Sequence, residues 1–182
     1  MPDHSDKSVS AEGIAAAASK AAKQGGLPPV HLWNPPFCGD LDMQIRSDGT
    51  WYHEGTPIGR PAMVRLFSTI LKREGDKYFL VTPVEKVGIQ VEDAPFVATD
   101  AEIGPDRITL TTNVGDQVVA DAEHPIITRG NNSEPRPYIH IRAGLEALID
   151  RKTFYRLAAA ADEGPDGKVG VRSGGQFFAL EP

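Results

Sequence analysis

A chain of 182 residues with 40% hydrophobic and 24% charged residues has the composition of one ordinary soluble domain or two small ones, and either can bury a core. Its formal net charge of −6 argues against a nonspecific coat for nucleic acid polymers, which needs a basic excess, but leaves room for a local arginine cluster that holds a small anion. The single cysteine, Cys38, excludes an intramolecular disulfide and fits a reducing cytoplasm, and no apolar run approaches membrane-spanning length.

Residues 1–9 are polar and expected to be disordered. Ser10–Gln24 is Ala-rich, with Ser10 placed to cap a helix and Gly25-Gly26 to end it. Acidic residues precede that segment and its hydrophobicity is low, unlike a signal peptide, so the chain reads as a mature cytoplasmic protein. Residues 1–26 are taken as a flexible N-terminus with a short helix. Leu27–Asp40 holds Pro28, Pro29, Pro35 and Pro36 and is expected to be an extended coil pinned by Trp33 and Phe37.

Met43–Arg46 and Thr50–His53 flank Ser47-Asp48-Gly49, a hairpin signal, and a tight turn follows at Glu54-Gly55-Thr56-Pro57. Pro61 suits a first helical turn. Met63, Leu66, Phe67, Ile70 and Leu71 then form one apolar helical face, with Lys72 and Arg73 near its end and Gly75 to stop it. Lys77–Thr82 and Val87–Val91 read as strands on either side of Pro83. Asp93-Ala94-Pro95 carries no periodic pattern and separates a domain over 27–94 from one over 95–182.

The second half offers strands at Phe96–Ala98, Arg107–Thr112, Gln117–Ala120, Pro125–Thr128 and Tyr138–Arg142, with a turn-rich loop at Arg129–Pro137. Leu145–Ala161 is expected to be a helix with Phe154, Leu157, Ala158 and Ala161 inward. Lys168–Arg172 and Gln176–Leu180 make a closing hairpin around Ser173-Gly174-Gly175.

Ile58-x-Arg60-x-x-Met63-Val64-Arg65-Leu66 returns 91 residues later as Ile149-x-Arg151-x-x-Phe154-Tyr155-Arg156-Leu157 (149 − 58 = 91). Each copy follows a strand ending in Ile-Arg (Ile45-Arg46, Ile141-Arg142) and precedes a glycine turn and a strand pair. The expected fold is therefore α+β: two small domains related by internal duplication, each a mostly antiparallel sheet with a packed helix. Arg60 and Arg151 fall at helix starts, where the dipole disfavours a cation, so each is a candidate to grip an anion from a cleft between the halves. A bond to nearby backbone carbonyls explains them equally well.

The strings D-G-x-W, G-x-P-I-x-R and L-V-T-P-x-E-K, here between Asp48 and Lys86, resemble the proteobacterial family of uncharacterised proteins numbered 1285 among domains of unknown function. The resemblance spans about residues 33–182 and falls, in its signature, on Trp51, Ile58, Arg60, Thr82, Pro83, Glu85 and Lys86. It implies an α+β fold built by duplication, with a C-terminal half partly like a pleckstrin-homology barrel. It further implies a nucleotide-like ligand between the domains and a part in signalling; no catalytic activity is established for the family.

Enzyme motifs are lacking. There is no Gly-x-Ser-x-Gly elbow, Cys38 has no nearby histidine in sequence, and His4, His31, His53, His124 and His140 are scattered without paired metal-ligand spacing. Gly164-x-x-Gly167 and Gly174-Gly175 lack the following Lys-Ser of a phosphate loop. What remains is a binding set: Trp51 and Tyr138 to stack a planar ring, Thr82 to orient it, and Arg60, Lys86, Arg136, Arg142 and Arg151 to meet an anion. No cofactor or metal is expected; partners are a small anionic ligand and a second copy or a signalling protein. The alternatives are a small phosphoester hydrolase using Glu85 and Lys86, or an adaptor docking a protein through exposed strand edges or the Pro-rich Leu27–Asp40.

Overall fold

The computed structural model describes residues 9–22 and 26–182. The chain divides into two compact units. One runs to Ile45 and includes Trp51–Gln90; the other joins Arg46–Thr50 to Val91–Pro182. Both are α+β.

In the first unit, helix α1 (Ala11–Ala22) starts at Ser10, whose Oγ accepts the Gly13 N–H at 3.1 Å. The remainder of the expected N-terminal disorder and the Gly25 helix stop lie outside the described residues. Although alanine-rich, α1 buries Ala11, Ile14 and Ala18 and packs on helix α2 (Pro61–Thr69). Packing, rather than propensity, stabilises so thin an apolar face. Six strands, β1 (Phe37–Ile45), β2 (Trp51–His53), β3 (Thr56–Pro57), β4 (Leu71–Glu74), β5 (Lys77–Val81) and β6 (Lys86–Val91), form one sheet in the order β3-β2-β1-β6-β5-β4. The Asp-Gly hairpin forms as its chemistry dictates: Asp48 Oδ1 accepts from Thr50 N at 2.9 Å, and Gly49 takes a φ of 87°, in the left-handed region that L side chains avoid.

Two expectations fail here. Leu71 does not extend α2; it opens β4 and is buried against the sheet, because the chain reverses after Thr69 and Leu71 pairs with Leu80. Leu27–Asp40 is not all coil: Val30–Leu32 make a 3-10 turn, and Phe37–Asp40 join β1. Phe37 stays largely exposed, resting edge-on against Phe79 at 5.9 Å, so it does not pin the segment into the core.

In the second unit, β7 (Phe96–Ile103), β8 (Ile108–Thr112), β9 (Gln117–Val119), β10 (Ile126–Gly130), β11 (Pro135–Arg142) and β12 (Leu145–Ile149) form a half-barrel in the order β10-β11-β12-β7-β8-β9. The β12–β7 pair is parallel and the other neighbours are antiparallel. Helix α3 (Arg151–Ala159) packs on β7, followed by a sheet of β13 (Asp162–Glu163), β14 (Val169–Ser173) and β15 (Gln176–Ala179). The predicted helix over Leu145–Ala161 is thus too long at its start. Leu145, Ala147 and Ile149 are buried while Glu146 and Leu148 are less so, a period of two that belongs to a strand. Asp150 then caps α3, its side chain accepting from Thr153 N at 2.9 Å. The inward face of α3 is Thr153 and Leu157; Ala158 is exposed.

The duplication is visible in topology. β1-β2-β3, α2, β4-β5-β6 in the first unit match β10-β11-β12, α3, β13-β14-β15 in the second. β1 neighbours β6, and β10 lies beside β15, with Thr128 Oγ1 donating to the Ala179 carbonyl at 3.0 Å. Strand register repeats too: Leu80 pairs with Val87 and Val171 with Phe178, both offset by 91 (171 − 80, 178 − 87). At the helices the offset is 90: the N-caps are Arg60 and Asp150, and the buried pair is Phe67 and Leu157. The sequence match therefore misaligns the helix starts by one residue. Arg60 corresponds to Asp150, not to Arg151. The Ile-Arg pairs likewise belong to unmatched strands, the first at the end of β1, with Arg46 just past it, and the second at the end of β11.

Candidate functional site

In the first unit the proposed binding residues are mostly committed to the fold. Trp51 is 1% exposed and stacks on Phe67 at 6.1 Å, so it cannot offer its face to a ligand; its role is core. Thr82 is buried, and its Oγ1 accepts from Glu85 N at 3.0 Å and Val84 N at 3.4 Å, shaping the β5–β6 turn. Lys86 donates to Glu74 at 2.6 Å and sits over the Phe79 ring at 4.3 Å. That ammonium holds the Glu74 carboxyl below the usual glutamate range. Arg60 is exposed at the start of α2 and makes no side-chain cap.

The second unit carries a groove of about 690 Å³. Four segments meet there: the β10–β11 hairpin (Ser133–Pro137), the end of β12 with the first turns of α3 (Leu148–Arg151, Phe154, Tyr155), Ser47-Asp48, and Glu92-Asp93. The hairpin is built by Asn131, whose Oδ1 accepts from Ser133 N and Glu134 N at 3.0 and 2.9 Å. Pro135 and Pro137 then stiffen the strand that presents Arg136.

Arg136 reaches Asp93 at 2.6 Å and Tyr138 Oη at 3.1 Å, and Tyr138 donates to the other Asp93 oxygen at 2.7 Å. Those bonds raise the Arg136 guanidinium above its ordinary value, and burial, helped by Asp93, pushes the Tyr138 hydroxyl up. Tyr138 is only 6% exposed, with the Arg129 guanidinium over its ring at 4.8 Å, so it stacks on that cation instead of on a ligand. Arg142 is absorbed elsewhere, donating to Asp116 at 2.9 Å and lying over Phe96 at 5.2 Å.

Arg151 differs. It lines the groove, is exposed, and has no ion pair or side-chain hydrogen bond among the described residues. Beside it are Phe154, half-buried, and Tyr155, 59% exposed, their rings 6.3 Å apart. Sequence reasoning missed Tyr155 and took Phe154 as core. The signal that would have found Tyr155 is its spacing: two residues before Leu157, it falls on another side of α3, whereas Phe154, three before Leu157, stays at the edge of that face and is half-buried. Five carboxylates share the groove: Asp48, Glu92, Asp93, Glu134 and Asp150. The Asp48 carboxyl is held down by the Thr50 N–H, and Asp150 is used by its helix. Among the described residues no three His, Cys, Asp or Glu side chains are grouped to hold a metal.

A family model for the N-terminal domain of DUF1285, a domain of unknown function, matches residues 28–94. Its companion for the DUF1285 C-terminal domain matches residues 95–180. The chain belongs to the DUF1285 family. Among solved structures it is similar to a DUF1285 family protein from Silicibacter pomeroyi DSS-3, at 56% identity over 93% of this chain and 94% of that one, with a TM-score of 0.85. A DUF1285 family protein from Shewanella baltica OS155 is 29% identical over 64% of this chain and 89% of that one, with a TM-score of 0.52. No curated protein matches the chain. Among the described residues no helix is long and apolar enough to cross a membrane.

Proposed function

We propose that this DUF1285 protein is a binding module that holds a ring-bearing small molecule with one anionic group in the groove of its second unit. The observation behind this reading is Arg151, exposed and unpaired among the described residues, beside the Phe154 and Tyr155 rings in a concave site of ligand size. The surrounding carboxylates set the charge of the occupant. Five acids against Arg136 and Arg151 disfavour a polyphosphate, since like charges within a Debye length of ~8 Å repel. The nucleotide-like ligand implied by the family resemblance is therefore narrowed to a planar ring of net charge near −1 or 0. Its occupancy would be reported to a partner protein as part of signalling.

Thermal shift of the full chain tests this with cyclic mononucleotides and aromatic amino acids against nucleoside triphosphates. Stabilisation is expected for the first two groups at millimolar concentration, and its loss in Arg151→Gln. Absence of any shift, or preference for the triphosphates, would sink the reading.

A further inference from the structure

The first unit holds a second concavity, of about 560 Å³, that shares no residue with the groove above. Its walls are apolar. Leu27, Trp33 and Val84 line it, the α1 surface adds Ala17 and Ala21, and Leu27 and Val84 are 53% and 71% exposed. An apolar surface left open to water at this size marks a binding surface more often than chance exposure. Three prolines, Pro28, Pro29 and Pro83, fix its rim, so little chain entropy is lost when something binds.

Charge and hydrogen-bonding capacity then narrow the occupant. Among the described residues Lys20 is the one charged residue in the lining; it is exposed and has no ion-pair partner there. The Trp33 indole supplies the other polar side-chain group. Both are hydrogen-bond donors, and among the described residues the lining contains no side-chain acceptor. A head group that meets this lining must accept and not donate, must carry a single negative charge, and must end an apolar body. We infer that this concavity binds a monoanionic amphiphile of the fatty-carboxylate class, with its tail along Leu27, Trp33 and Val84 and its carboxylate at Lys20. Among the described residues a cationic or zwitterionic head would leave its N–H groups without side-chain partners, and a polyanion would find one cation.

Titration of the full chain with decanoate, below its micelle-forming concentration, tests the inference by calorimetry and tryptophan emission. One-to-one binding is expected, with an emission change that disappears in Trp33→Phe, because Trp51 is 1% exposed and insensitive. Lys20→Gln is expected to weaken binding by about tenfold, the loss of one charge-assisted bond, and Val84→Glu to abolish it. Both positions are exposed, and unchanged far-ultraviolet dichroism and melting verify that the variants fold; Leu27→Glu is the substitute if Val84→Glu does not. Equal binding of decyltrimethylammonium overturns the inference, as does decanoate affinity unchanged in Lys20→Gln. So does a concentration-dependent dimer that Val84→Glu dissociates without any decanoate binding, since a second copy is then the occupant. Arg151→Gln should leave decanoate binding untouched, which separates failure here from failure of the groove in the second unit.

Discussion

Trp51 carries its indole N–H into the core of the first unit, where it meets no acceptor among the described residues. Phenylalanine in its place removes an unpaired donor and leaves only a small cavity. Trp51→Phe is expected to cost about 1–2 kcal/mol and Trp51→Ala about 3–5, read from urea unfolding midpoints. Neither change should alter ligand binding if the ring is purely core. Tyr138→Phe deletes the bond to Asp93 but keeps the ring under Arg129, so a loss of about 1–2 kcal/mol is expected. Because burial raises the Tyr138 hydroxyl, its contribution is whole below about pH 10 and fades as pH rises through its higher folded value; in Tyr138→Phe that alkaline decline should shrink. Glu74 runs the other way. Its lowered carboxyl contributes above about pH 4.3, and the contribution is lost as pH falls through the folded value. Glu74 is exposed, so Glu74→Gln should cost less than about 1 kcal/mol near neutrality and nothing at low pH. At this scale the sequence was least legible. Lys86, Arg136 and Arg142 looked available because their partners, Glu74, Asp93 and Asp116, stand 12, 43 and 26 residues away and only folding brings them together.

The two matched helices start differently. α3 has Asp150 as N-cap, with its carboxylate bonded to Thr153 N; α2 has Arg60, which bonds nothing at the cap and opposes the helix dipole. Asp150→Ala should therefore destabilise by about 1 kcal/mol, while Arg60→Asp should stabilise by about 0.5–1 kcal/mol, both from thermal unfolding. A loss of ligand affinity in Arg60→Asp would restore Arg60 to the binding set. Element types were largely readable: the Asp-Gly hairpin, α2 and the strands β5, β6, β8, β14 and β15 follow local chemistry. Boundaries were not. Leu145–Ile149 alternates like a strand yet contains Leu, Glu and Ala, good helix formers, and only its position between β11 and β7 decides for the sheet.

Taken whole, the chain is two copies of one α+β plan whose second copy gained three strands, β7, β8 and β9, beside β12. The sequence repeat pointed to the duplication but equated Arg60 with Arg151, because matching letters across nine residues ignores the one-residue shift between helix and strand frames. The second unit is also discontinuous. It includes the 46–50 turn, where Asn113 Nδ2 donates to the Gly49 carbonyl at 3.2 Å and Glu92 accepts from Ser47 N at 3.3 Å. A fragment spanning 91–182 lacks that turn and is expected to be less stable than the same unit in the full chain by about 1–3 kcal/mol, measurable by hydrogen exchange of β7 amides.

The ends of the two sheets carry a consequence for solubility. β12 is covered by β7, whereas its counterpart β3 ends the first sheet uncovered, two residues long and carrying Pro57, which has no N–H to offer. The fold thus guards the same border by an added strand in one copy and by a missing donor in the other. Pro57→Val would reopen that border to strand addition from neighbouring molecules, and aggregation on mild heating, followed by light scattering, should appear in the variant before the parent chain.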